Sequence, residues 1–133
     1  PQHAEAYQDN AQRFTKRIDE LDTQLRNILA GKEGMKFMVF HPSWGYFARD
    51  YGLEQVAVEI EGKSPKPAHL RALIELAREQ EISVIFAQPQ FSSKSAEVIA
   101  REIGAQVVLI DPLGEQWFDN MRMVADKMAA ALR

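Results

Sequence analysis

His41-Pro42 and Asp111-Pro112 are two places in this chain where a metal-ligating or proton-transferring side chain directly follows a strand-like apolar run. Met35-Lys36-Phe37-Met38-Val39-Phe40 leads into the first, and Gln106-Val107-Val108-Leu109-Ile110 leads into the second. A proline after each residue disfavours helical backbone and holds the residue extended. Neutral imidazole and carboxylate are the nitrogen and oxygen donors that divalent zinc or manganese accepts, so the pair has the chemistry of half a metal site. A closed tetrahedral zinc site needs about four ligands. His3, at the start of one helix, and His69, in the first turn of another, are expected on the surface, with His69 at the opposite end of its crossover. The chain has no cysteine, which removes thiolate ligands and disulfides but does not fix the compartment. The same pair admits a different chemistry: a small α/β enzyme with His41 as general base oriented by Asp111, for which Ser43 is the nearest nucleophile.

Two further strand-like runs end in polar groups. Gln55-Val56-Ala57-Val58 runs into Glu59 and Glu61, and Ser83-Val84-Ile85-Phe86 runs into Gln88-Pro89-Gln90. Ligands of open parallel sheets bind beyond the carboxyl ends of the strands, so all four polar ends are expected on one edge. Other chemistry lacks its signature. Gly62-Lys63-Ser64 imitates the end of a phosphate-binding loop, but Ala57 stands at the earlier glycine position and Pro65 follows. The chain contains no G-x-G-x-x-G and no G-x-S-x-G, and residues 35–41 carry no acidic cluster for a magnesium-dependent phosphoacceptor. Trp44, Tyr46 and Phe47 are expected to anchor a short helix on the sheet rather than to wall a ligand site.

The elements that must position these residues are legible as patterns. The strand runs, 35–40, 55–58, 83–86 and 106–110, are short and rich in branched side chains. Between and after them lie helical patterns. These are 44–51, 67–80 with Leu70, Leu73, Ile74 and Ala77 on one face, 93–103 with Val98 and Ile99 buried, and 115–132 with Phe118, Met121, Val124, Ala125 and Met128 inward. The alternation predicts an α/β fold: a four-stranded parallel sheet with helices on both faces. Ahead of it, Tyr7, Ala11, Phe14, Ile18, Leu21, Leu25 and Ile28 recur in steps of four and three, which predicts one long helix over 1–30. Gly31 and Gly34 form the only linker-like point, dividing that helix from an α/β unit over 35–133. The stretch 62–67 reads as an exposed loop, with Pro67 opening the next helix.

Composition bounds the function. A length of 133 residues fits one domain of roughly 100–200 residues, and 46% hydrophobic against 26% charged residues excludes a wholly disordered chain. Sixteen basic and 19 acidic side chains give a net charge of −3, which offers no field to hold nucleic acid or an anionic membrane. No apolar run approaches the ~20 residues of a membrane span. Pro1-Gln2-His3-Ala4-Glu5 is too polar for a signal peptide, and a first residue other than Met leads us to expect a processed or partial chain.

The stretch Phe40-His41-Pro42-Ser43-Trp44-Gly45-Tyr46-Phe47-Ala48-Arg49-Asp50-Tyr51-Gly52-Leu53 resembles the segment carrying the third metal ligand in zinc- and manganese-binding solute-binding proteins of ABC importers. Glu61-Gly62-Lys63-Ser64-Pro65 resembles the loop before the next helix of that family, and Phe86-Ala87-Gln88-Pro89-Gln90-Phe91 its zinc-type F-x-E-P-Q-F segment. Leu109-Ile110-Asp111-Pro112-Leu113 resembles the segment carrying the fourth ligand. The resemblance implies a non-enzymatic, periplasmic or extracytoplasmic module. It would be the C-terminal lobe (35–133) preceded by the long interlobe backbone helix (1–30). It further implies that His41 and Asp111 are metal ligands that meet two histidines of an N-terminal lobe, and that the metal passes to a membrane permease. A histidine at the third position favours zinc over manganese, because imidazole suits zinc and oxygen donors suit manganese. Gln88 stands where the zinc-type motif has Glu, which removes a charge and leaves Gln88 either a hydrogen-bonding support for a ligand or only a loop residue. Part of the stripe on the long helix is expected to be exposed and open to a partner.

Overall fold

The computed structural model of the chain describes residues 2–59, 63 and 65–132. Among the described residues nine elements follow one another: α1 (Ala4–Ile28), β1 (Lys36–Val39), α2 (Gly45–Asp50), β2 (Glu54–Ala57), α3 (Pro67–Glu79), β3 (Val84–Ala87), α4 (Lys94–Ile103), β4 (Gln106–Leu109) and α5 (Trp117–Ala131). The strands pair in the order β2-β1-β3-β4, every pair parallel.

Strand side chains alternate between the two faces of a sheet, and here both faces are apolar. Phe37 and Val39 of β1 share one face with Val84 and Phe86 of β3, and α1, α2 and α5 cover it with Leu21, Leu25, Ala48, Val124 and Met128. Phe37 meets Phe86 edge to face at 5.4 Å. Met38 and Ile85 face the other way, under Leu73 and Ala77 of α3 and Ile99 and Ala100 of α4. The fold is α/β with helices on both faces of a four-stranded parallel sheet, as the alternation predicts.

Only the C-terminal half of α1 enters this core. Leu21, Leu25 and the following Leu29 are buried, whereas Tyr7 and Phe14 are 69% and 52% exposed. A polar latch fastens the buried half to α2: the Tyr51 hydroxyl donates to Asp22 Oδ1 at 2.9 Å, and Arg26 Nε donates to Asp22 Oδ2 at 2.9 Å. The hydrogen bond from Arg26 holds the Asp22 carboxyl below its usual range against the opposing effect of burial. Burial, reinforced by the Asp22 carboxylate, pushes the Tyr51 hydroxyl up to about 12. On the other side Arg122 Nε of α5 donates to Gln24 Oε1 at 2.7 Å.

The structure corrects three details of the sequence reading. Val98 is exposed: the inward stripe of α4 runs through Ala96, Ile99, Ala100 and Ile103, and its neighbour Val98 is turned outward by the 3.6-residue period. Trp44 and Phe47 pack on the core, but Tyr46 is 79% exposed. His69 does not lie at the far end of its crossover. The end of α3 (Glu79) and the start of β1 (Met35, Lys36) line one cavity, so the first turn of α3, which holds the half-buried His69, is on the opposite side, at the carboxyl edge of the sheet. Among the sequence assignments, Glu61 and most of the 61–65 loop lie outside the described residues, as do Pro1 and Arg133.

Candidate metal site at the carboxyl edge of the sheet

Pairing between β1 and its neighbours continues past the last strand residue. Phe40 N donates to Phe86 O at 3.0 Å, Val58 N to Val39 O at 2.9 Å, and Glu59 N to Phe40 O at 3.1 Å. The peptides of β3 then give way to a side chain. Gln88, 1% exposed, accepts from His41 N at Oε1 (3.3 Å) and donates from Nε2 to His41 O (2.8 Å) and to Ser43 Oγ (2.7 Å). Its carboxamide thus imitates one more peptide of β3 and fixes the backbone of His41. An ionised carboxylate in its place would offer acceptors only and leave His41 O without this donor. Gln88 therefore supports the candidate ligand through the main chain and not through the imidazole.

The imidazole is held by a residue on the opposite neighbour strand. The β1–β2 register pairs Lys36 with Glu54 and Val39 with Ala57, and continuing it sets His41 beside Glu59. Val58 packs in the core beneath α3 and α4, so strand alternation turns Glu59 to the other face, the face His41 shares with Val39. His41 Nδ1 and Glu59 Oε1 form a hydrogen bond, with Glu59 only 7% exposed. The ring of Phe91 lies 5.0 Å from the imidazole, tilted by 31°.

Asp111 follows β4, where Ile110 N still donates to Ala87 O at 3.0 Å. Its Oδ1 accepts from Gln90 Nε2 at 2.7 Å and from Leu113 N at 2.9 Å, the second bond closing an Asx turn. Its carbonyl accepts from Asn120 Nδ2 at 2.8 Å. Asn120 approaches so closely that a Cβ on Gly114 would lie 2.5 Å from its side chain, which is why a glycine is needed there.

His41 and Asp111 thus stand at one edge but on strands separated by β3, about 10 Å apart at the usual strand spacing. The β3 loop spans the gap, with Gln88 bonded to His41 and Gln90 to Asp111. This overturns the pairing that the enzyme alternative requires: Asp111 does not orient His41, because Glu59 occupies Nδ1 and Asp111 is engaged by Gln90 and Leu113. Two donors remain uncommitted, His41 Nε2 and Asp111 Oδ2, which accept no hydrogen bond among the described residues. No group of three or more His, Asp or Glu residues gathers to hold a metal among those residues. An imidazole nitrogen and a carboxylate oxygen fit a divalent ion by their chemistry, as two of the several donors such an ion needs.

Asn120 is absent from the sequence reading, Gln90 and Glu59 are named there only as polar strand ends, and Phe91 only within the F-x-E-P-Q-F segment. The signal for Glu59 is its offset of 18 residues from His41, which becomes informative only when the β1–β2 register is known.

Comparison with known proteins gives this edge a context. The family model for zinc-uptake complex component A, periplasmic (ZnuA), matches residues 1–131. High-affinity zinc uptake system protein ZnuA of Bacillus subtilis (strain 168) is 31% identical over 115 residues, which are 85% of this chain and 36% of that protein. A crystal structure of ZnuA superposes with a TM-score of 0.93 at 44% identity, covering 98% of this chain and 51% of the other. A zinc-bound deletion mutant of ZnuA gives a TM-score of 0.90 at 44% identity over 99% of this chain and 51% of the other. The chain therefore spans about a third of the length of this Bacillus subtilis relative and about half of these two solved structures. With the family model matched over nearly its whole length, the chain belongs to the zinc-uptake complex component A family of solute-binding proteins.

Proposed function

We propose that this chain is the C-terminal α/β lobe (35–133), with its interlobe helix (1–30), of a periplasmic or extracytoplasmic protein that captures zinc and delivers it to an ABC permease. His41, through Nε2, and Asp111, through its carboxylate, supply two of the zinc ligands, and an N-terminal lobe supplies the rest. Manganese binds more weakly, since an imidazole in place of an oxygen donor favours zinc. The observation that carries this reading is the His41–Glu59 hydrogen bond. It engages Nδ1 and leaves Nε2 as the free donor on the edge where parallel sheets bind their ligands. The exposed Tyr7 and Phe14 on α1 fit a helix that continues along a second lobe. The zinc uptake named for the Bacillus subtilis relative supports the same cargo.

Calorimetric zinc titration of a two-lobe protein carrying this lobe tests the reading. His41→Ala and Asp111→Ala are each expected to weaken binding by more than the ~10–100-fold typical of residues that merely support a ligand. His69→Ala, at the same edge of the sheet, is expected to leave it unchanged. Equal losses at His41 and His69 would refute the assignment.

A further inference from the structure

We propose that Glu59 selects the nitrogen that His41 presents, fixing the imidazole as the tautomer with its proton on Nδ1 and its lone pair on Nε2. The proposal rests on the reading of His41 as a zinc donor and makes Glu59 its positioning residue. A neutral imidazole carries one N–H and one lone pair, and an ionised carboxylate can only accept. The contact between Nδ1 and Glu59 Oε1 therefore puts the proton on Nδ1. This arrangement follows from the fold. The parallel register brings position 59 beside position 41, Val58 turns into the core, and Glu59 takes the opposite face with its carboxylate buried. His41 is the one side-chain hydrogen-bond partner of Glu59 among the described residues, so a ring flip would strand a buried carboxylate. Gln88 fixes the backbone of His41 and so holds the ring within reach of Glu59, and the ring of Phe91 lies beside the imidazole at 5.0 Å. A carboxylate behind a metal-bound histidine sets the orientation of the ring and raises the basicity of the donor nitrogen, and its loss typically costs ~10–100-fold in metal affinity.

The test is nitrogen-15 NMR of the imidazoles in the metal-free chain, at a pH where they are neutral. The unsubstituted chain is expected to show His41 as a single tautomer protonated on Nδ1. Glu59→Ala is expected to give a mixture, and Glu59→Gln, whose amide oxygen still accepts, to restore the single form. An Nε2-protonated His41 in the unsubstituted chain would overturn the proposal without any variant having to fold. So would an unchanged tautomer in a folded Glu59→Ala chain. Zinc titration of the same substitutions in a two-lobe protein separates the two readings. A loss of ~10–100-fold in Glu59→Ala, largely recovered in Glu59→Gln, supports both. A scrambled tautomer with unchanged zinc affinity would overturn the role of Glu59 in zinc binding, whereas unchanged affinity in His41→Ala would reject His41 as the zinc donor.

Discussion

His41 and Asp111 end equivalent parallel strands and are each followed by proline, yet the molecule holds them in different ways. His41 is gripped by two buried groups, the carboxylate of Glu59 on its ring and the carboxamide of Gln88 on its backbone, with the exposed ring of Phe91 beside it. The Asp111 carboxylate is steadied at the surface, by the exposed Gln90 and by the local turn to Leu113 N, while the buried Asn120 holds its carbonyl. The difference tracks position in the sheet. β1 is an inner strand, with β2 and β3 on either side to supply partners, whereas β4 is an edge strand with one neighbour. An inner strand end can preorganise a donor in the folded protein. An edge strand end leaves its carboxylate to a loop side chain and a local turn.

Substitutions can break this contrast or sharpen it. The largest effect on stability is expected for Gln88→Ala, which strips partners from the backbone N–H and carbonyl of His41 and from the Ser43 hydroxyl. Leaving such groups unsatisfied costs about 1–3 kcal/mol, to be read from the midpoint of urea unfolding. Tyr51→Phe, in the latch away from His41 and Asp111, is expected to cost about 0.5–1.5 kcal/mol for one hydrogen bond and to leave zinc titration unchanged. The pH dependence of that latch has a definite sign. The Asp22 carboxyl is held low, so its contribution is present above its unfolded value and is lost as pH falls through the lowered one. The Tyr51 hydroxyl is raised to about 12, so its contribution is complete below its unfolded value near 10 and is lost as pH rises through 12, which ultraviolet titration of the phenol would follow. The smallest effect is expected for Gln90→Ala. As a surface change it should stay within about 0.5 kcal/mol in stability, and a loss as large as that of Gln88→Ala would erase the contrast between the two strand ends.

How much of this was legible in the sequence differs between fold and site. The four strands and the helices between them carry their own periodicity, so Phe37, Phe86, Leu73 and Val124 are found inside without further information. His41 and Asp111 stand out because an ionisable residue and a proline end an apolar run. The groups that hold them do not, since strand register and loop packing decide which residues meet. Glu59 becomes a partner of His41 only through the 18-residue offset of β1 and β2, and Gln90 a partner of Asp111 only once β3 lies between β1 and β4. Val98 shows a smaller limit, since one misassigned position on a helical wheel exposes a valine, whereas the place of His69 was legible, because a helix that follows a strand of a parallel sheet begins at the carboxyl edge.

The most direct test of the central claim is a zinc-edge anomalous diffraction map of a two-lobe protein carrying this lobe. The account predicts one peak at the carboxyl edge of the sheet, about 2.0–2.1 Å from Nε2 of His41 and about 2.0–2.2 Å from a carboxylate oxygen of Asp111. A peak bound through Nδ1 of His41, or one that reaches neither residue, would contradict it.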